Sequence, residues 1–379
     1  MTHKKIGVGV IGGNSTGWAA SAHFPALREL DDYELVAVST SRMESAREAA
    51  AKFGIGLAFD DHRALVALPE VDLVVISVKV PFHYELALSA IQHGKHLFCE
   101  WPLGNGLEEA TLLADAARQK GIVAAIGLQA RSSPTISCAK RLIADGYVGE
   151  VLSTSVIGSG MFWADRTAAS QTYMLEQKNG ATMLAIACGH MLDAFCFTLG
   201  EFAHLVATTA IREPTVHVGK AGDTMVKTVA DQVAVSGTLE GGTTASFHYR
   251  ARPSHGTNFY WEINGTEGDL VLRAATGQFQ YADVSLQGAQ GRNSLEIIRM
   301  AAEDRWVPAS VPAGPPLNVA QAYAHLARDL REGSRLVARF EDAVVRHRML
   351  DAIERASATG TRQSYDTQVA AAGSLDGRA

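Results

Sequence analysis

The run VDLVVISVKV, residues 71–80, constrains this chain more than any other stretch. Almost every position is apolar and half are valine, so the segment has no face to offer water. A strand of that kind is buried on both sides, which calls for a parallel sheet with helices packed on each face. The neighbouring segments supply the partners. KIGVGVIGG, YELVAVSTS, KHLFCE and IVAAIGLQ read as strands, and WAASAHFPALREL, MESAREAAAKFG, HYELALSAIQHG and LEEATLLADAARQKG read as helices. MESAREAAAKFG closes on a glycine, where helices commonly end in left-handed backbone. The alternation predicts βαβ units in a doubly wound parallel sheet, a Rossmann dinucleotide-binding domain over residues 1–130.

Beyond residue 130 the pattern changes. SPTISCAKRLIADGYVGE reads as a helix, VLSTSVIGSGMFW as a long strand and ATMLAIACGHMLDAFCFTLG as an apolar helix. DQVAVSGTLEGGTTASFHYRA and NFYWEINGTEGDLVLRA each read as a hairpin, turning at EGG and at NGTEGD. They predict a C-terminal α+β domain over residues 131–360, with a large, mostly antiparallel open sheet. Two helices at 318–332 and 339–358 close it, and a mobile tail follows at 361–379. At 379 residues two domains are the expectation.

Composition narrows the partners. The net charge of −6 is spread along the chain with no long basic run, which disfavours direct binding to nucleic acid or an anionic membrane. No apolar stretch approaches the roughly 20 residues of a membrane span, and MTHKKIGVGVIGG lacks the features of a signal peptide. Cys99, Cys138, Cys188 and Cys196 are scattered, with no metal-ligand spacing, so the expectation is reduced thiols, a cytoplasmic protein and no structural metal.

In the first turn, GVIGGNSTGWAA, Gly12 and Gly17 fill the first and third glycine places of a dinucleotide loop, and Asn14, which tolerates left-handed backbone, fills the second. With Ser15, Thr16 and Trp18 they form a loop whose amides and helix N-terminus face phosphate; a plain strand-to-helix turn is the alternative. After the second strand stand Thr40, Ser41 and Arg42, where an acid would accept from a ribose 2′-hydroxyl. Hydroxyls and a guanidinium suit a 2′-phosphate, so NADP(H) is favoured over NAD(H); an N-cap serine beside a solvated arginine would look the same. Val78, Lys79 and His83 follow a core strand at the crevice edge, and Glu100 and Trp101 end the next one.

With LVVISVKVPFHYELALSAIQHGKHLFCEWPLG, GLQARSSP, AKRLIADGYVGEV, GHMLD and EINGTEGDL in view, the chain resembles the Gfo/Idh/MocA (glucose-fructose oxidoreductase/inositol dehydrogenase) family over nearly its whole length. The resemblance implies a Rossmann domain joined to an α/β domain whose open sheet makes oligomer contacts, hence a homodimer or homotetramer. Members carry Glu-Lys-Pro where this chain has Glu100-Trp101-Pro102, their lysine contacting the nicotinamide ribose and the substrate hydroxyl. Their helical pair is an Asp four residues before a His; here those positions are Ile186 and His190. NSTGW, EWPL and GHMLD point to a narrower branch similar to the yeast galactose-regulon repressor, which binds nucleotide and a partner protein instead of turning over sugar.

Hydride transfer at a carbinol needs an acid/base at the oxygen, because the cofactor handles only the hydride. His190 is the leading candidate. Asp193, at i+3 on the same helix, would orient it or serve structure. Lys79 would assist catalysis, contact phosphate or ribose, or simply be solvated. Trp101 would wall the pocket beside the nicotinamide or a sugar, or pack between domains. Gln129, Arg131, Trp163, Asp165, Arg166 and Tyr173 are the candidate substrate contacts. Together these residues predict an NAD(P)-dependent oxidoreductase acting on a hydroxyl or carbonyl of a sugar-like or other small polar substrate. A non-catalytic nucleotide- or sugar-sensing regulator, with a protein partner, is the competing class. Elimination or glycoside cleavage through a transient ketone is the third.

Overall fold

The computed structural model describes residues 4–220 and 222–368. The first half alternates as the apolar runs demand: β1 Ile6–Ile11, α1 Phe24–Arg28, β2 Tyr33–Ser39, α2 Met43–Phe53, β3 Leu57–Phe59, α3 His62–Val66, β4 Leu73–Ile76, α4 His83–Gln92, β5 His96–Glu100, α5 Leu107–Lys120 and β6 Ala124–Gly127. The six strands form one parallel sheet in the order β3-β2-β1-β4-β5-β6. Every residue of β1 and β4 is buried, as strands covered on both faces must be. The strand order reverses between β1 and β4, which opens a crevice at their C-terminal ends where nucleotides bind. Gly54 closes α2 with φ +68°, the left-handed stop expected there. The short β3 and α3 escaped the sequence pattern; three residues are too few to show a period.

The second half contains α6 Pro134–Ala144, β7 Val151–Ser159, β8 Arg166–Thr167, α7 Gly189–Leu199, β9 Phe202–Ala210, β10 Thr215–Val218, β11 Asp223–Val226, β12 Gln232–Leu239, β13 Thr244–Arg250, β14 Phe259–Gly265, β15 Gly268–Ala274, β16 Ser285–Gln290, β17 Glu296–Ile297, α8 Pro315–Glu332 and α9 Phe340–Thr359. Eight of these strands make a sheet ordered β17-β16-β15-β14-β7-β13-β12-β9, antiparallel except where β7 runs beside β13. Both expected hairpins form, β12–β13 and β14–β15. The remaining three build a small sheet, β11-β10-β8.

Three features depart from the sequence reading. α8, grouped by chain order with the C-terminal domain, packs on the other half. Val319, Tyr323 and Leu326 pack with Val8, Val10, Phe24 and Phe98, so it covers a face of the Rossmann sheet. The apolar helix begins with a π turn at Leu184–Cys188 before α7 proper. The tail docks at its start: Gln363 and Leu205 exchange backbone hydrogen bonds of 2.8 Å, and Tyr365 donates to Glu201 at 2.7 Å. The rest of the expected mobile tail, 369–379, lies outside the described residues. Among the described residues no helix is long and apolar enough to cross a membrane.

Gly158 shows how closely the second core is packed. It lies opposite Tyr249 on β13, and a Cβ there would sit 2.1 Å from the tyrosine ring. That ring cannot retreat, being fully buried, stacked on Phe247 at 4.8 Å and bonded to the Gly277 carbonyl at 3.0 Å. Gly158→Ala should therefore cost about 1–3 kcal/mol through overpacking. Thermal denaturation would show a lower Tm, and an unchanged Tm would contradict the packing described.

Candidate functional site

β1 runs into Gly12 at φ +85°, and a Cβ there would meet the Ser77 carbonyl at 2.3 Å and Val78 at 2.5 Å. Only glycine fits both the backbone and the space. The Gly12 and Gly13 amides bond to the Ser39 carbonyl at 2.8 and 3.3 Å and tie the ends of β1 and β2 together. Asn14 does not use left-handed backbone: Met161 is the non-glycine residue with positive φ among those described. Its side chain accepts from the Thr16 amide at 3.0 Å and folds over Gly17, where a Cβ would lie 2.8 Å from the Asn14 amide nitrogen. The asparagine thus closes the loop with its side chain, and Gly17 is small because Asn14 covers it.

The loop opens on a crevice of about 660 Å³ that reaches from Gly12 and Thr16 past Ser41 and Arg42 to Lys79. Arg42 is exposed there and forms no ion pair among the described residues. Two expected contacts are diverted inward. The Thr40 hydroxyl bonds to the Arg42 carbonyl at 2.8 Å and to Ser45 at 2.7 Å, so it supports the start of α2. The Ser15 hydroxyl donates to Glu48 at 2.7 Å while Lys52 donates to the Ser15 carbonyl at 2.7 Å, bolting α2 to the loop. Asp60 and His62, not anticipated from sequence, line the same crevice because β3 lies beside β2 and ends at the same rim.

At the other rim Lys79 holds its ammonium 4.6 Å above the Tyr173 ring, bringing together one residue from each half of the chain. His83 does not line the crevice. It is buried, with Nδ1 2.7 Å from the Pro102 carbonyl and Nε2 3.0 Å from that of Val78. Glu100, at the end of β5, is likewise engaged: Gln129 Nε2 donates to its two oxygens at 3.1 and 3.0 Å, and His23 Nε2 lies 3.1 Å away. Burial would raise its pKa, but His23 and Gln129 outweigh that and hold the carboxyl below the usual range.

Trp101, 4% exposed, does not wall the crevice. Its Nε1 donates to the Ala185 carbonyl at 2.7 Å and its ring lies 4.7 Å from that of His347, so it packs between the halves. Arg131 and Asp193 correct the sequence reading together. Arg131 holds Asp193 through bonds of 2.8 and 2.5 Å, so neither the guanidinium faces a substrate nor the carboxylate orients His190. Trp163 is fully buried and donates to the Ala181 carbonyl at 3.0 Å, which removes it from any pocket wall. Asp165 pairs with Arg252 at 3.2 Å, and Arg166 is exposed on β8.

His190 occupies the first turn of α7 at 3% exposure. Burial pulls its pKa down to about 4, against the opposing charges of Glu100 and Asp193. Its Nδ1 has no partner, and the same is true of the Trp18 indole nitrogen and of Gln129 Oε1. Buried polar atoms are nearly always bonded. Gln129 bonds to Glu100, whose charge also bears on His190, so an open acceptor and an open imidazole nitrogen lie around one carboxylate at the end of β5. The tight glycine turn after β1, with Arg42 and Lys79 on the crevice rim, fits the phosphates of a dinucleotide.

Residues 6–128 match the family described as "Oxidoreductase family, NAD-binding Rossmann fold" (GFO_IDH_MocA), and residues 134–274 match "Gal80p, C-terminal domain". The chain is 28% identical over 379 residues to the dehydrogenase aclE of Aspergillus oryzae, covering 96% of this chain and 99% of that protein. It is 29% identical over 301 residues to the galactose/lactose metabolism regulatory protein GAL80 of Saccharomyces cerevisiae, covering 74% and 68%. A levoglucosan dehydrogenase of Pseudarthrobacter phenanthrenivorans is 29% identical over 290 residues, covering 71% and 74%. A solved levoglucosan dehydrogenase in complex with NADH and levoglucosan superposes with a TM-score of 0.82 at 23% identity, covering 96% of this chain and 100% of that one, a likeness of fold.

The buried histidines set an acid limit on stability. His190 and His347 both have pKa values pulled down to about 4 by burial, from 6.5. The unfolded chain takes up these protons near pH 6.5 and the folded one only near 4, so stability falls as pH drops through that window. The loss approaches about 3 kcal/mol per histidine at its lower end. His347→Gln should flatten the pH dependence of unfolding free energy between pH 6.5 and 4.5, measured by urea titration at each pH. An unaltered slope would contradict the assignment.

Proposed function

From the premise that this chain belongs to the Gfo/Idh/MocA oxidoreductase family with an NAD-binding Rossmann fold, joined to a Gal80p-type C-terminal domain, we propose that it is an NADP(H)-linked oxidoreductase. Its substrate class is a hydroxyl or carbonyl of a sugar-like or other small polar molecule. The observation that carries this is His190, a buried, neutral imidazole with an unpartnered nitrogen on the helix that faces the end of β5.

The bound dinucleotide would supply a hydride acceptor or donor. Gly12, Asn14, Thr16 and Gly17 would hold its phosphates, and Ser41 and Arg42 a 2′-phosphate. His190, uncharged above about pH 4, would take the proton from a substrate hydroxyl and return it to a carbonyl in reverse. Lys79, beside Tyr173, would steer anionic or hydroxylated ligands at the mouth. The dehydrogenase and levoglucosan dehydrogenase relatives support the reaction class, and the second supports a sugar-like substrate. The exposed Ile157 and Val206 on the open face of the eight-stranded sheet support a homodimer or homotetramer built there.

A regulatory role is the second reading, favoured by the Gal80p-type match over residues 134–274 and by a tryptophan, with no ammonium, at position 101. It predicts nucleotide binding without turnover.

His190→Gln should lower turnover of a responding hydroxyl or keto substrate at least ~100-fold while NADP(H) affinity stays within about twofold. Turnover retained in this variant would remove the acid/base assignment. Absence of turnover in the unmodified protein across aldoses, polyols and their keto forms, with nucleotide bound, would favour the regulator. Arg42→Ala should weaken NADP(H) about tenfold or more and leave NAD(H) nearly unchanged, since only the former carries the 2′-phosphate. Calorimetric titration of both cofactors decides this, and equal loss for both would contradict it.

A further inference from the structure

The indole of Trp101 touches the helix carrying His190 at two places. Its Nε1 donates at 2.7 Å to the Ala185 carbonyl, which lies in the π turn Leu184–Cys188 leading directly into α7. Such turns are rare and occur mostly at functional sites. This one is held from both sides of the Ala185 residue. The Thr182 hydroxyl accepts from the Ala185 amide at 3.0 Å, and the indole donates to the carbonyl.

The second contact is with Gly189. A Cβ there would lie 2.7 Å from the indole Nε1 and 3.1 Å from its Cζ2. Gly189 has ordinary helical backbone, with φ −59°, so closeness of the indole, not backbone strain, demands the missing side chain. The next residue is His190. On its other flank the indole meets His347 of α9, with ring centres 4.7 Å apart.

A catalytic histidine is usually aimed by a hydrogen bond to its second nitrogen. That device is missing here: Nδ1 of His190 has no protein partner, and both oxygens of Asp193 are bonded to Arg131. An indole has one N–H to donate, and the Ala185 carbonyl takes it.

We propose that Trp101 is a positioning residue for His190, fixing the π turn through Ala185 and the backbone step Gly189–His190 through its ring. The proposal rests on His190 being the acid/base group. It gives the tryptophan a task that leaves the dinucleotide crevice untouched.

Trp101→Phe keeps a ring and removes the N–H; Gly189→Ala keeps the N–H and displaces the ring. In either folded variant, the imidazole resonances of His190, assigned by their loss in His190→Gln, should shift or broaden at fixed pH. NADP(H) affinity should stay within about twofold, and kcat should fall at least tenfold with the cofactor KM unchanged. His190 resonances identical to those of the parent in either folded variant overturn the proposal, whatever happens to Tm. If His190→Gln leaves turnover intact, the acid/base reading fails separately, while the resonances still report whether Trp101 positions the ring.

Discussion

Asp193 is wholly shielded from solvent and receives guanidinium groups from two sides, Arg131 in a bidentate pair and Arg346 at 3.5 Å. Arg346 continues to Glu201 at 2.6 Å, and Glu201 accepts from Tyr365 at 2.7 Å. The network gathers the segment after β6, helix α7, helix α9, the entry to β9 and the start of the tail. Asp193 and Arg346 have lost almost all their water, so removing a partner of either strands a buried charge and costs about 3–5 kcal/mol. His190 lies one turn from Asp193, and its position relative to the Rossmann strands is inherited from this cluster.

The same cluster explains where sequence reasoning went astray. An Arg at the domain junction and an Asp one turn from a His are the right residue types for a substrate clamp and an orienting carboxylate. In space they satisfy each other, and nothing in a one-dimensional pattern distinguishes a side chain facing a ligand from one facing its neighbour. Thr40 and Ser15 repeat the lesson in part: both line the crevice, yet their hydroxyls also bond to the start of α2 and to Glu48. What was legible had a period. The parallel sheet announced itself through β1 and β4, buried on both faces, and the hairpins through their turns. Asp60 and His62 were missed because β3 is three residues long, and the π turn because its bonding departs from the helical period that reveals helices. α8 packs on the Rossmann sheet although chain order groups it with the second domain, because an amphipathic helix records that it needs a partner, not which one.

Trp101 was half legible. The sequence shows that an indole replaces the ammonium expected from the family resemblance; the choice between a pocket wall and packing needed the third dimension. Gly189 was a further clue, since a glycine in the middle of an apolar helix weakens it and so calls for a close neighbour. The neighbour is the indole.

The crevice and the buried end beyond it divide the electrostatic work. Arg42 and Lys79 put mobile positive charge at the exposed rim, where phosphate would lie and where water limits the cost of charge. Around Glu100 the unpartnered atoms belong to neutral groups, the Gln129 carbonyl and a His190 imidazole whose charged form is suppressed. In the proposed reaction, a neutral His190 would avoid the repulsion that an imidazolium would bring to an oxidised nicotinamide. Once it accepts a proton, its new charge faces Glu100, kept ionised by Gln129 and His23. The buried carboxylate therefore acts on the histidine only in its charged form, and offsets part of the burial that holds the pKa near 4. That is the difference an acid/base site needs, because groups that stabilise both states equally accelerate nothing.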